Sequence, residues 1–164
     1  MKLKKMLYAG TFDPITSGHL DIIKRAAELA DVLVVGVLTN SSKRCHFTLE
    51  ERLEMIDIAV AGIDGVVVDS FGGLLADYAK DNNVDAVVRG LRATMDFEYE
   101  LQMAQMNARL TGGEAETLFL MTDPKYSFVS SSLIKEVFFL GGEIKGLVPD
   151  EVYDYMCLHR KETK

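Results

Sequence analysis

Four short segments carry side chains able to work on a phosphorylated ligand. The first is Gly10-Thr11-Phe12-Asp13-Pro14-Ile15-Thr16-Ser17-Gly18-His19. Its histidine falls in the first turn of an expected helix, where free backbone N–H groups and the helix dipole favour an anion. The second, Thr39-Asn40-Ser41-Ser42-Lys43-Arg44, brings two adjacent cations. The third, Arg89-Gly90-Leu91-Arg92, ends an apolar run in a guanidinium, whose planar fork suits bidentate phosphate contact. The fourth, Tyr126-Ser127-Phe128-Val129-Ser130-Ser131-Ser132, places three hydroxyls at a helix start, together with unpaired backbone N–H groups.

Each segment also has a plainer explanation. His19 alone reads as a surface histidine, Lys43 and Arg44 as ordinary loop cations, and Ser130 or Ser131 as an N-cap. Arg89 reads as a structural charge paired with Asp96, Glu98 or Glu100. Capping needs one serine, however, and three stand here in a row. Together the segments point to a site for a nucleoside triphosphate or similar polyphosphate. No Ser/His/Asp or Cys/His arrangement for covalent catalysis stands out. Cys45 beside His46 lacks the further ligands a metal would need.

The elements that must position these segments alternate strand and helix. Apolar, β-branched runs predict strands over residues 3–9, 32–38, 66–68, 86–89 and 117–121. Helical spacing predicts helices over 19–30, 74–82 and 94–110. Thr48 with Glu51 spells a capping box at the head of another helix. A further helix opens near Ser130 and stops at Gly141, and a last one follows Pro149. Five strands alternating with helices define an α/β fold, a Rossmann-like five-stranded parallel sheet with helices on both faces. Ligands in such sheets sit beyond the carboxyl ends of the strands, and all four segments follow a strand. The dinucleotide fingerprint G-x-G-x-x-G is missing after the first strand, which argues against a NAD-dependent oxidoreductase. Helix 94–110 carries Leu101, Ala104 and Ala108 on one stripe and Met103, Met106 and Leu110 on another. A helix apolar on two sides is ordinarily buried; the alternative is that its second stripe meets a neighbouring subunit.

Composition bounds the class. The chain has 164 residues with 18 Lys+Arg against 25 Asp+Glu, a net charge of −7, which argues against duplex nucleic acid as the main partner. Its length fits one domain spanning 1–164. Two cysteines are too few for a disulfide framework. The N-terminal residues lack the apolar run of a signal peptide, and no stretch approaches ~20 apolar residues. The expectation is a cytoplasmic protein without a membrane partner.

The motifs YAGTFDPITSGH, FTLEER, RGLRATMDFEYE and SFVSSSLIKEV, in this order, resemble the bacterial phosphopantetheine adenylyltransferases of the nucleotidyltransferase superfamily with its H/T-x-G-H motif. T-x-G-H alone recurs by chance; TFDPITSGH together with RGLRA-x-x-DFEYE is specific to that family. The resemblance implies transfer of AMP from ATP to 4′-phosphopantetheine by in-line displacement, giving dephospho-coenzyme A and pyrophosphate. It implies four catalytic residues, Thr11, His19, Lys43 and Arg92. ATP would lie against Thr11, Phe12, His19, Gly90, Leu91, Arg92 and Glu100, and against Tyr126, Ser127, Phe128, Val129, Ser130, Ser131 and Ser132. Phosphopantetheine would meet Thr11, Lys43, Leu75 and Arg89. It further implies Mg²⁺ carried mainly by ATP phosphates with no protein metal ligand, a homo-hexamer, and coenzyme A as a feedback ligand. Two alternatives share these signals: a nucleotidyltransferase with another acceptor such as nicotinamide mononucleotide, and a non-catalytic ATP-binding module.

Overall fold

The computed structural model describes residues 3–39, 44–92 and 94–160. Five strands, β1 (Leu3–Gly10), β2 (Ala30–Leu38), β3 (Val66–Phe71), β4 (Ala86–Leu91) and β5 (Glu116–Met121), form one sheet in the order β3-β2-β1-β4-β5. All neighbouring pairs are parallel. The chain steps outward from β1 through β2 to β3, then returns to the other side of β1 as β4. The strand order therefore reverses between β1 and β4, where a ligand crevice is expected at the carboxyl edge.

The helices are α1 (Ser17–Ala27), α2 (Leu49–Val60), α3 (Leu75–Asp81), α4 (Thr94–Thr111), α5 (Ser131–Phe139) and α6 (Asp150–Leu158). They cover both faces, and the period-2 alternation of the strands decides which residue meets which layer. Met6 and Tyr8 of β1 join a core with Ile22 of α1, Ile56 of α2, Ile134 of α5 and Met156 of α6. Leu7 and Ala9 join the opposite core with Phe71, Ala79 of α3 and Val87 of β4. The same alternation sends Arg89, two residues beyond Val87, toward the α3/α4 side.

Several boundaries differ from the sequence reading. α1 ends at Ala27, and Ala30 opens β2 instead of closing the helical stripe. Once Glu28 ends the helix, Ala30 fills the core as the first strand residue, 3% exposed. β3 runs on to Phe71, and a short 3₁₀ turn at Pro124–Tyr126 was not anticipated. The capping box of α2 is present: Thr48 Oγ1 accepts from Glu51 N at 3.2 Å and Glu51 Oε2 accepts from Thr48 N at 2.8 Å.

The largest departure is α4. Two apolar stripes predicted a buried helix, yet Phe97, Leu101, Met103, Met106 and Leu110 are all exposed, between 37% and 52%. Among the described residues α4 packs against α3 and the strands β4 and β5. Among the described residues no helix is long and apolar enough to cross a membrane.

Candidate active site

The β1–α1 loop carries the first site segment, and three tethers fix it. Ser131 Oγ of α5 donates to Pro14 O at 2.7 Å, and Arg52 Nη1 of α2 donates to Thr11 O at 2.8 Å. Asp13, 5% exposed, accepts from Lys135 Nζ at 2.5 Å and from the backbone amides of His46 at 3.0 Å and Phe47 at 2.9 Å. Burial alone would push the Asp13 carboxyl up. The hydrogen bond from Lys135 and the two amides outweigh it and hold the group below its usual range. Phe12 adopts φ +48°, a left-handed conformation that costs a non-glycine residue energy unless its surroundings enforce it.

His19 sits at the third position of α1 and completes an unusual capping box. Thr16 Oγ1 accepts from His19 N at 3.3 Å, and the Thr16 backbone N–H donates to His19 Nδ1 at 3.1 Å. A backbone N–H can only donate, so Nδ1 accepts and the neutral ring carries its proton on Nε2. Withdrawal from water, with Arg92 and Arg89 adding repulsion, lowers the His19 pKa to about 4. The ring is therefore neutral near pH 7. It packs edge-on to Phe12, with centroids 5.1 Å apart.

His19 opens onto a cleft of about 270 Å³ at the carboxyl edge between β1 and β4. Of the residues expected at the site, Phe12, His19, Arg89, Gly90, Arg92, Glu100, Tyr126, Val129, Ser130, Ser131 and Ser132 line it. Thr11, Leu91, Ser127 and Phe128 do not. Leu91 is buried at 6%, its carbonyl accepting from Thr122 N, while Phe128 is 60% exposed. Thr11 turns its carbonyl to Arg52. Lys43 lies outside the described residues, as do Asn40, Ser41 and Ser42. The serine run divides its work: Ser130 is the N-cap of α5, accepting from Leu133 N, and Ser131 ties Pro14. Gly18 packs against the 3₁₀ turn, where a Cβ would lie 3.4 Å from Tyr126 Cβ.

Arg89 has its carboxylate partner, and it is Glu100. Nε and Nη2 donate to Oε2 and Oε1 at 2.6 and 2.7 Å, and Nη1 reaches Ala9 O at 3.0 Å. Burial would lower the Arg89 pKa, but Glu100 outweighs it and the net shift is upward, so the charge stays. This pair forms a wall between the first cleft and a second cavity of about 570 Å³. Leu75 lines the second cavity, with Leu38, Phe71, Leu74, Met103 and Asn107. Sequence reasoning missed most of that lining, because it joins a β3–α3 loop to α4 across long separations. The signal available was the second apolar stripe of α4. Thr16 and the Asp13–Lys135 pair were missed as well; Thr16 could have been read from the N-cap spacing to His19.

A parallel sheet with histidine, arginines and a serine-headed helix gathered at its switch point is built to handle nucleotide phosphates. The family model described as cytidylyltransferase-like matches residues 7–137. Curated relatives carry a narrower name. A phosphopantetheine adenylyltransferase of Clostridium tetani (strain Massachusetts / E88) is 52% identical over 151 residues, 92% of this chain and 94% of the relative. One from Alkaliphilus oremlandii (strain OhILAs) is 54% identical, covering 92% of this chain and 96% of the relative. One from Desulfosudis oleivorans (strain DSM 6200 / JCM 39069 / Hxd3) is 47% identical over 166 residues, 97% of this chain and 98% of the relative. The chain belongs to the phosphopantetheine adenylyltransferase family and is an enzyme of the nucleotidyltransferase class.

Proposed function

We propose that this chain, acting as one domain, transfers AMP from ATP to 4′-phosphopantetheine. A phosphate oxygen of the acceptor attacks the α-phosphorus of ATP, forming a new P–O bond. The bond from the α-phosphorus to the bridging oxygen breaks, and pyrophosphate leaves with its electron pair. The attacking phosphate is already an anion, so no strong base is called for, and the work is positioning and charge stabilisation.

The observation that carries this reading is the pair of cavities meeting at the Arg89–Glu100 wall. The first, lined by His19, Arg92 and the head of α5, suits ATP. The second, lined by Leu38, Phe71, Leu75 and Met103, suits the pantetheine arm. In this reading His19 donates its Nε2 proton to the α-phosphate oxygens as charge builds on them. Thr11, Lys43 and Arg89 hold the acceptor phosphate. Arg92 and the hydroxyls of residues 130–132 take the β- and γ-phosphates, and Phe12, Gly90, Leu91, Glu100 and residues 126–129 surround the nucleoside. Among the described residues no cluster of three His, Cys, Asp or Glu side chains is able to hold a metal, and both Asp13 oxygens already have partners. In this reading Mg²⁺ enters as part of the ATP complex, on phosphate oxygens and water. Coenzyme A, sharing the acceptor's pantetheine arm, is the proposed feedback ligand. The exposed face of α4 is the proposed hexamer contact, and the cytoplasm the proposed location.

The test is pyrophosphate release from ATP with one acceptor at a time. Phosphopantetheine should give stoichiometric pyrophosphate and dephospho-coenzyme A by mass spectrometry. Turnover with nicotinamide mononucleotide and none with phosphopantetheine would assign another acceptor. Binding of ATP with no release under any condition would leave a binding module.

A further inference from the structure

Arg52 of α2 is 5% exposed, and among the described residues its hydrogen-bond partners are backbone carbonyls. Nη1 donates to Thr11 O at 2.8 Å and to Leu38 O at 3.4 Å. Its Nε is buried without any hydrogen-bond partner, the only such side-chain atom among the described residues. Among the described residues no carboxylate pairs with it. Two other half-buried cations at this edge are matched: Arg89 by Glu100 and Lys135 by Asp13. A buried charge without a counter-charge is costly, and carbonyl dipoles return only part of what water supplied. A fold that merely needed to join two loops here would be served as well by a neutral donor.

The two carbonyls place Arg52 between the β1–α1 loop and the end of β2. Leu38 ends β2 and lines the second cavity, just before the segment that includes Lys43. Thr11 belongs to the β1–α1 loop. In a trans peptide the C=O and the following N–H point opposite ways. Tying Thr11 O to α2 therefore turns the Phe12 N–H away from α2, next to a Phe12 whose φ is +48°.

We infer that Arg52 is a positioning residue for the anionic acceptor: it pins the Thr11–Phe12 peptide to the end of β2, and its uncompensated buried charge is met by the acceptor's phosphate when that binds. The inference rests on the acceptor reading given above. It makes Arg52 electrostatically unsatisfied in the free protein and satisfied in the complex, so removal of its charge acts on binding more than on folding.

Two variants separate charge from hydrogen bonding. Arg52→Gln keeps a donor for Thr11 O and loses the charge; Arg52→Lys keeps the charge on a thinner stem. Calorimetric titration uses three ligands: 4′-phosphopantetheine, pantetheine lacking the phosphate, and ATP. Arg52→Gln should bind phosphopantetheine at least tenfold more weakly, pantetheine as wild type does, and ATP within about twofold. Its ligand-free Tm should stay level or rise. Arg52→Lys should regain most of the lost phosphopantetheine affinity. Equal losses for phosphopantetheine and pantetheine, or an Arg52→Gln protein with lowered ligand-free Tm and unchanged phosphopantetheine affinity, would make Arg52 a structural bridge and overturn the inference. A wild-type chain that binds no phosphopantetheine overturns the acceptor reading and this inference with it. A wild type that binds it, beside an Arg52→Gln chain that binds it equally well, overturns this inference alone.

Discussion

In the first turn of α1, one backbone amide settles how His19 presents itself: Thr16 N–H occupies Nδ1, and the Nε2 proton is left for a ligand. Burial lowers the pKa from 6.5 to about 4, so neutral His19 is the working form. The unfolded chain then binds this proton more readily than the folded one. Stability should accordingly fall as pH drops from about 6.5 toward about 4, and be level above that window as far as His19 is concerned. Asp13, held below 3.8, adds its own loss only at still lower pH. Thermal unfolding followed by circular dichroism between pH 7 and 4.5 checks this, with His19→Gln flattening the slope. In the proposed reaction His19→Ala should lower kcat by about a thousandfold with ATP affinity within a few fold, since a donor aimed at developing charge acts on the transition state. A rise in KM with kcat intact would remove that role. The position of His19 was legible from the sequence because it follows the Gly18 of a loop that leads from an apolar strand into a helical stripe. Its tautomer was not, because that depends on a backbone angle at Thr16 that no side-chain pattern encodes.

At the scale of elements, α5 is fastened to the β1–α1 loop by Lys135 to Asp13 and by Ser131 to Pro14. Opening a buried ion pair from one side leaves the partner charge stranded. Lys135→Met should cost about 2–3 kcal/mol, toward the low end of the range for buried pairs because Lys135 is itself partly exposed. Urea denaturation measures it, and Lys135→Met combined with Asp13→Asn should recover part of the loss; additive losses would show that the two do not interact. The sequence announced a serine-headed helix but not this division of labour. Ser130 behaves as the simple N-cap that any helix start would show, while Ser131 serves a loop more than a hundred residues away. Glu100 likewise was one of three carboxylates within reach of Arg89. Choosing among them required the helical phase of α4 relative to β4, which is a property of packing and not of either segment.

For the whole molecule, the telling surface is α4. The five strands and their alternation with helices were readable because parallel central strands are apolar on both faces, as at Val34, Val35 and Val37. Burial of α4 was misjudged because an apolar stripe states only that a face wants cover, not which molecule provides it. Phe97, Leu101 and Met106 remain uncovered in the isolated chain. Light scattering coupled to size exclusion should return the mass of a hexamer, and Leu101→Glu should shift it toward smaller species with the chain still folded. A monomer at micromolar concentration for the unaltered chain would remove the proposed assembly.

The partition made by Arg89 and Glu100 belongs to both chambers at once. For the two reactants of the proposed transfer, thermodynamic linkage makes any influence across this partition mutual. Whatever factor the nucleotide applies to its co-substrate's affinity is returned to it unchanged.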